Sequence, residues 1–294
     1  MFSSASSIVG PKIVAADDQK EGFLNIVSKN DISYANANKC LRKKDIRVDN
    51  KKISENIVVF PGQTITIFLP EEATVVDEKK FFEIEFEDEN VAIVNKKRGI
   101  EVTSPNENSV EKMLNKNPQK KYYALNRLDR NTEGLVIFAK SKNVLEILKK
   151  AMKKDEISKF YLANVVGVPS WETKTAISFL IKDDEKSEVK IYNSPRKDAV
   201  KIQTNLTVIS RSSGGTSVIM AEIHNGKTHQ IRAQLANLGF PIIGDGKYGK
   251  NVDNRKFKEK TQKLTSFKII FKIKDEKLKY LNNLDFEITP SWAK

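Results

Sequence analysis

The sequence predicts an α+β protein: a domain built on a mixed, mostly antiparallel sheet, preceded by a small α/β module. Three observations carry this. Long runs with strand periodicity outnumber helical ones in the second part of the chain, and segregated strands and helices point to α+β packing. A Glu-, Asp- and Lys-rich stretch over 71–80 breaks the pattern as a linker would. Before it, residues 18–75 repeat a compact order of helix, helix, hairpin and strand. The expected organisation is a flexible N-terminus over 1–17, a module over 18–75 and a larger domain over 76–294.

The elements follow in order. Glu21 to Lys29 carries Phe23, Leu24 and Val27 at helical spacing. Ala35 to Lys43 forms a second helix with Ala37 and Leu41 turned inward. Ile46 to Ile53 reads strand, turn, strand, because Asp49-Asn50 tolerates the positive φ a tight hairpin needs. Pro61-Gly62 turns into the alternating strand Gln63 to Leu69. Phe82 to Glu87 alternates with one wet face, and Asp88-Glu89-Asn90 turns into the buried strand Val91 to Lys96. The apolar run Leu135 to Lys140 follows the turn Asn131 to Gly134. Asn143 to Lys153 is a helix with Val144, Leu145, Leu148 and Met152 on one face. Phe160–Val166, Ser187–Tyr192, Ile202–Ile209 and Ser217–Ile223 read as strands. Thr228 to Leu238 reads as a helix capped by Thr228 and ended by Gly239, with Gly226 supplying an unusual backbone angle.

Composition narrows the chemistry. The chain of 294 residues has one Cys and two His, too few soft ligands for a zinc site, so no metal or cofactor is expected. The lone Cys40 excludes a disulfide framework and fits a reducing cytoplasm. No apolar stretch approaches the ~20 residues that span a membrane. The net charge of +13 points to a polyanion. Residues 1–75 are nearly neutral as a whole, yet Lys39, Arg42, Lys43, Lys44, Arg47, Lys51 and Lys52 cluster on the second helix and hairpin. Such a cluster suits phosphate binding through counterion release.

Two separated stretches carry the chemistry. The first is Arg127-Leu128-Asp129-Arg130-Asn131-Thr132-Glu133-Gly134, and the second is Gly226-Lys227-Thr228-His229-Gln230-Ile231-Arg232. Asp129 lies in a loop feeding a buried strand, where a sheet can aim a carboxylate into a cleft. Arg232 lies on the first turns of a helix. Taken singly, each reads more readily as a structural Asp and a surface Arg. A metal-dependent nuclease is disfavoured, because neither motif brings an evident second carboxylate.

The ordered set resembles the RluA family of pseudouridine synthases: Arg127 to Lys140, Lys159 with Tyr161, Gly226 to Leu235, and Pro241 to Gly249, with Val94-Asn95-Lys96 and Gly99 matching the opening strands. The resemblance covers roughly residues 82–290. Residues Leu41 to Lys52, with Gly62, resemble the alpha-L RNA-binding module of a small-subunit ribosomal protein. These resemblances imply an RNA-uridine isomerase acting on ribosomal RNA, or on transfer RNA, as a monomer. They imply Asp129 as the nucleophile, Arg232 as its partner, and Tyr161 as the residue that stacks on the base and accepts a proton. Arg127 and Lys159, with Arg42, Lys43 and Arg47 of the module, would contact the substrate. Thr132, Gly134, His229 and Gln230 would be scaffold. Three positions depart from the family pattern: Asn126 replaces His, Lys96-Lys97-Arg98-Gly99 replaces Lys-Pro-Ala-Gly, and Lys227 replaces Arg. The competing reading is a non-catalytic RNA-binding or ribosome-assembly protein on the same fold. In an open site, removing Arg232 should cost activity far more than folding.

Overall fold

The computed structural model describes residues 12–15, 21–29, 32, 34–68, 80–104, 108–183 and 188–293. The chain divides into two compact units, Met1–Glu78 with Ser104–Asn108, and Lys79–Thr103 with Ser109–Lys294. Most of the 1–17 segment and of the 71–80 linker lies outside the described residues.

The first unit contains β1 (Lys12–Ala15), β2 (Glu21–Gly22), α1 (Phe23–Lys29), α2 (Tyr34–Lys43), β3 (Ile46–Val48), β4 (Lys51–Ile53), β5 (Val58–Val59) and β6 (Thr64–Ile67). Four strands form a sheet in the order β1-β6-β3-β4. Asp49 and Asn50 have φ of 46° and 66°, the left-handed pair that closes a two-residue hairpin. The Asp49 carboxylate also accepts from Thr64 N–H at 2.9 Å, which fixes the hairpin to β6. The core is Phe23, Ile26, Val27, Ala37, Leu41, Ile46, Ile65 and Ile67 with their neighbours. One expectation is corrected: Lys12–Ala15, placed in the flexible N-terminus over 1–17, pair antiparallel with β6. The backbone of β6 needs a second partner beyond β3, and β1 supplies it.

The second unit contains β7 (Phe82–Glu87), β8 (Val91–Lys96), α3 (Val110–Leu114), β9 (Tyr123–Ala124), β10 (Glu133–Ala139), α4 (Lys142–Lys153), β11 (Ile157–Val166), β12 (Thr173–Asp183), β13 (Glu188–Tyr192), β14 (Val200–Ser212), β15 (Thr216–Ile223), α5 (Gln230–Asn237), α6 (Asn251–Lys256), β16 (Leu264–Phe271) and β17 (Phe286–Glu287). The sheet runs β13-β12-β14-β15-β11-β16-β10-β8-β7, with β9 on β10 and β17 on β16. Its pairings are antiparallel except β10 with β16. The central strands are buried on both faces, which explains their unbroken apolar runs. On β10, Val136 and Phe138 join one apolar cluster, and Leu135, Ile137 and Ala139 the other. Gly134 permits the parallel contact: its φ is 118°, and a Cβ there would stand 2.2 Å from the Ser266 carbonyl oxygen.

Two corrections concern the helix carrying Arg232. It begins at Gln230, and Thr228 does not cap it. His229 occupies the cap position with φ 53° and no capping bond, while Gln230 Oε1 accepts from Lys227 N–H at 3.1 Å. The left-handed residue is therefore His229; Gly226 has no positive φ.

Candidate active site

One apolar cluster gathers the candidate residues. Leu128, Tyr161 and Ile231 all belong to it. Their packing brings the loop before β10, the middle of β11 and the first turn of α5 to one face of the sheet. Asp129 follows Leu128, and Arg232 follows Ile231, so burying the apolar neighbours delivers the charged side chains to each other.

They meet directly. Arg232 Nη1 donates to Asp129 Oδ2 at 2.7 Å. The rest of the guanidinium is taken by a residue the motif reading left without a role. Arg232 Nε donates to Asp245 Oδ2 at 2.7 Å, and Nη2 to Asp245 Oδ1 at 2.9 Å. This is the fork-on-fork geometry only arginine provides. Asp245 also accepts from the N–H groups of Lys247 and Tyr248. Its side chain is 0% exposed, that of Arg232 is 7% exposed, and that of Asp129 is 27% exposed. Asp245 is thus an anchor, Arg232 a clamp, and Asp129 the member that faces outward. A second carboxylate does accompany the second motif, contrary to the sequence reading. Its oxygens are saturated by Arg232 and backbone N–H groups, which leaves it unsuited to hold a metal. Among the described residues no cluster of three or more His, Cys, Asp or Glu side chains comes together as a metal site.

The electrostatics agree with this division. Burial alone would push the Arg232 guanidinium down, but the bonds and charges of Asp245, then those of Asp129, raise it above its ordinary value. Burial pushes the Asp245 carboxyl up, yet the bond and charge of Arg232 together with the Lys247 and Tyr248 N–H bonds outweigh it, and the net direction is down.

His229, expected as scaffold, lies at the site. Its Nδ1 is 2.9 Å from the Tyr248 hydroxyl, and its Nε2 is 3.8 Å from Asp129 Oδ1. Burial lowers its pKa, which keeps the ring neutral. The Tyr248 hydroxyl accepts from Val189 N–H at 2.9 Å. Its own proton can then go to His229 Nδ1, a tautomer that leaves Nε2–H facing Asp129. The Arg232 guanidinium carbon sits 5.2 Å from the centre of the Tyr248 ring, a cation–π distance.

Tyr161 is 5% exposed. Burial, and after it the charge of Asp129, pushes its hydroxyl above the usual tyrosine range, while a hydrogen bond with Ser266 works the other way. Arg127 is exposed beside Asp129 in the chain. Lys159 does not join this group: it is 2% exposed, and its ammonium donates to the His224 carbonyl and approaches Met152 Sδ of α4 at 3.5 Å. Burial lowers its pKa to about 8. Asn126, where the family pattern has His, accepts from Ile137 N–H at 3.0 Å through Oδ1 and so ties the Asp129 loop to β10. In the first unit Arg42 and Lys43 are exposed at the end of α2, and Arg47 is half-buried, 5.4 Å from the Phe68 ring centre.

The RNA pseudouridylate synthase family matches residues 90–237, half of the chain. The chain belongs to this family. Among its relatives is an RNA pseudouridine synthase of Bacillus subtilis, 30% identical over 70% of this chain and 71% of the relative. Another, from Mycoplasma genitalium, is 31% identical over 70% of this chain and 68% of the relative. The ribosomal large subunit pseudouridine synthase C of Buchnera aphidicola is 29% identical over 72% and 71%. The fold agrees with that of human RNA pseudouridylate synthase domain containing 1, at TM-score 0.57 and 21% identity over 71% of this chain and 83% of that one. The synthase is therefore an isomerase acting on RNA, and its sheet is that of a pseudouridine synthase. Asp245, His229 and Tyr248 were the residues missed as parts of the site. The signal available was their place inside the quoted motif stretches, without a partner to pair them with.

Proposed function

We propose that this synthase converts uridines of large-subunit ribosomal RNA to pseudouridine through Asp129. The observation that carries the reading is the graded exposure of the Asp245–Arg232–Asp129 chain, in which one buried carboxylate fixes the guanidinium that holds a reachable one. The isomerisation breaks the bond from ribose carbon one to uracil nitrogen one and rejoins the sugar at uracil carbon five. The proton on carbon five leaves, and nitrogen one gains one. No oxidant or net energy input is needed. A held carboxylate can attack one fragment or stabilise its positive charge while the uracil turns. Arg232 aims Asp129, and His229 Nε2–H faces its other oxygen.

Tyr161 stacks on the base and, once its own phenol proton has passed to RNA or solvent, accepts the carbon-five proton. In the free protein burial and the charge of Asp129 hold the phenol proton on. Bonding of Asp129 to the sugar removes that negative charge and so relieves part of the restraint. Arg127, exposed next to Asp129, fills the space left when the target base leaves its stack, a move that costs a few kcal/mol. The basic residues Arg42, Lys43 and Arg47 grip RNA backbone. Ribosomal RNA is favoured by the name of the Buchnera relative, and the synthase acts as a monomer in the cytoplasm, where that RNA is assembled.

The test is tritium release from RNA labelled at uridine carbon five, using ribosomal and transfer RNA from a strain lacking the protein. Release from large-subunit ribosomal RNA that disappears with Asp129→Asn supports the reading. Release from transfer RNA alone would replace the substrate. No release from either, with RNA binding intact, would favour the non-catalytic alternative.

A further inference from the structure

Past the end of β16 the chain continues as Lys272-Ile273-Lys274, exposed, buried and exposed in turn, so both lysines stand on the side away from the core. Beside them, where the chain returns at the single helical turn Lys279–Asn283, lies an open hollow of about 500 Å³. Lys272, Lys274 and Lys279 line it, with Ile270 and Ile273 in its apolar part. The backbone under the lysines is pinned from two sides. Lys272 N–H donates to the Glu156 carbonyl at 2.8 Å, and Lys274 N–H to Glu156 Oε2 at 3.3 Å. Ile273 N–H donates to Asn282 Oδ1 at 2.8 Å, and Asn282 Nδ2 donates back to the Ile273 carbonyl at 3.0 Å. Glu156 N–H reaches the Ala151 carbonyl at 2.9 Å. That brings the last turn of α4 to the same corner, with Lys150, Lys153 and the cap residue Lys154 exposed.

Ordinary explanations cover only part of this. Lysines in the last turn of a helix answer its negative pole, which accounts for Lys150 and Lys153. Lys272 and Lys274 sit on extended chain, which has no such pole. Neither makes an ion pair among the described residues. The Glu156 side chain, in a residue 8% exposed, is turned to the Lys274 backbone N–H instead. Lys279 has the exposed partner Glu276 at 3.4 Å, a contact worth little in water. Like charges around one hollow repel until an anion joins them. An ammonium is a point charge, suited to phosphate and not to reading a base edge. The corner is also too remote to touch the reacting uridine. β16 meets the strand behind the Asp129 loop where Thr265 faces Glu133, and the near-extended chain from there to Lys272 spans about 20 Å.

We propose that this corner is a second RNA site in the catalytic unit, where Lys272, Lys274 and Lys279 hold backbone phosphates of the substrate well away from the target uridine. It rests on the reading above in taking RNA as the ligand, and not on the role of Asp129.

Acetylation of lysines in the intact protein, free and bound to large-subunit ribosomal RNA, reads the site by mass spectrometry. Lys272, Lys274 and Lys279 should be shielded in the complex. Replacing the three together by Gln should weaken RNA binding by about 10-fold and lower the slope of log K against log salt by about 2, at roughly 0.7 per phosphate contact. The single-turnover rate at saturating RNA should stay within about twofold, because phosphate contacts position and do not react. Replacing the exposed Lys174, Lys197 and Lys201 by Gln removes the same charge elsewhere and should leave affinity within about twofold. Equal weakening by both triple variants assigns the effect to net charge and overturns the proposal, as do lysines that stay reactive in the complex. Shielding by inorganic phosphate with unchanged RNA affinity in the variant overturns it too, since the hollow would then serve a free anion. Shielding is read on the unaltered protein, so it decides even if the triple variant does not fold. Tritium release separates the two readings: release with unshielded lysines sinks the corner site alone, and shielded lysines without release sink the role of Asp129 alone.

Discussion

The two charged regions of this synthase use the same residue types in opposite ways. In the module, Arg42 and Lys43 are exposed, and neither makes an ion pair among the described residues. In the catalytic unit, Arg232 has a 7% exposed side chain and spends three nitrogens on two carboxylates. An exposed cation is screened by salt and adds little to folding, but it is free to meet phosphate. A buried cation with all three nitrogens engaged by carboxylates is not free to meet phosphate, and instead fixes geometry. The contrast separates affinity from chemistry: the first surface should set how tightly RNA is held, the second how fast it is changed.

The sharpest way to break that separation is at Asp129. Asp129→Asn should cut single-turnover pseudouridine formation by about 10⁴-fold or more, with RNA affinity nearly unchanged, as expected when a nucleophile is removed. Gel-shift and tritium-release assays on the same preparation check it; a parallel loss of binding would merge the two regions.

Arg232→Met comes next and corrects an expectation. In an open site, removing Arg232 should cost activity far more than folding, but its partner Asp245 is 0% exposed. Orphaning that carboxylate should cost about 3–5 kcal/mol of stability. The rate should also fall by about 100-fold or more through loss of the aim on Asp129. Urea denaturation and single-turnover rates measure the two effects. Asp245→Asn should show both in weaker form, because an amide can still accept one of the two bonds.

The module is sharpened by salt. Replacing Arg42, Lys43 and Arg47 together by Ala should weaken RNA binding and reduce the slope of log K against log salt by about 2, at roughly 0.7 per phosphate contact on single strands. The rate at saturating RNA should stay within about twofold. A matching fall in that rate would show that the module aligns the substrate as well as holding it.

The smallest effect lies away from both regions. Glu87 accepts from Lys140 Nζ at 2.7 Å and from the Tyr122 hydroxyl at 2.7 Å. Burial pushes its carboxyl up, but these bonds, with that of Lys120, bring it down from 4.5 to about 2. A depressed carboxyl stabilises the fold above pH 4.5, and the contribution fades as pH falls from 4.5 toward 2. Because the group is partly solvated, about 1 kcal/mol is expected. Glu87→Gln should lose that amount at neutral pH and converge on wild type near pH 2. A constant difference across the acid limb would assign the effect to packing.

Strands and helices with clear periodicity were legible: β7, β8, β10, α2, α4 and the Asp49-Asn50 hairpin all form close to where the pattern puts them. β12 and β16 were not. Thr173–Asp183 interleaves lysines and threonines with its apolar residues, which hides the alternation. Leu264–Phe271 is buried at the sheet centre and lacks alternation because both its faces are covered. Lys159 was legible as part of a motif but not in its place, because motif spacing does not say which way a buried side chain turns.

Local order along the chain was enough to name the chemistry: a carboxylate beside Leu128, a guanidinium beside Ile231, and a basic hairpin ahead of them. Pairing was another matter. That Asp245 would take two nitrogens of Arg232 and leave one for Asp129, that His229 would turn left-handed toward that carboxylate, and that Lys96 would reach across to the Arg130 carbonyl all depend on how the folded chain brings its parts together. Periodicity records which side chains want to be buried. Only the assembled tertiary structure, by burying Leu128 and Ile231 in one cluster, decides which charges must then satisfy one another.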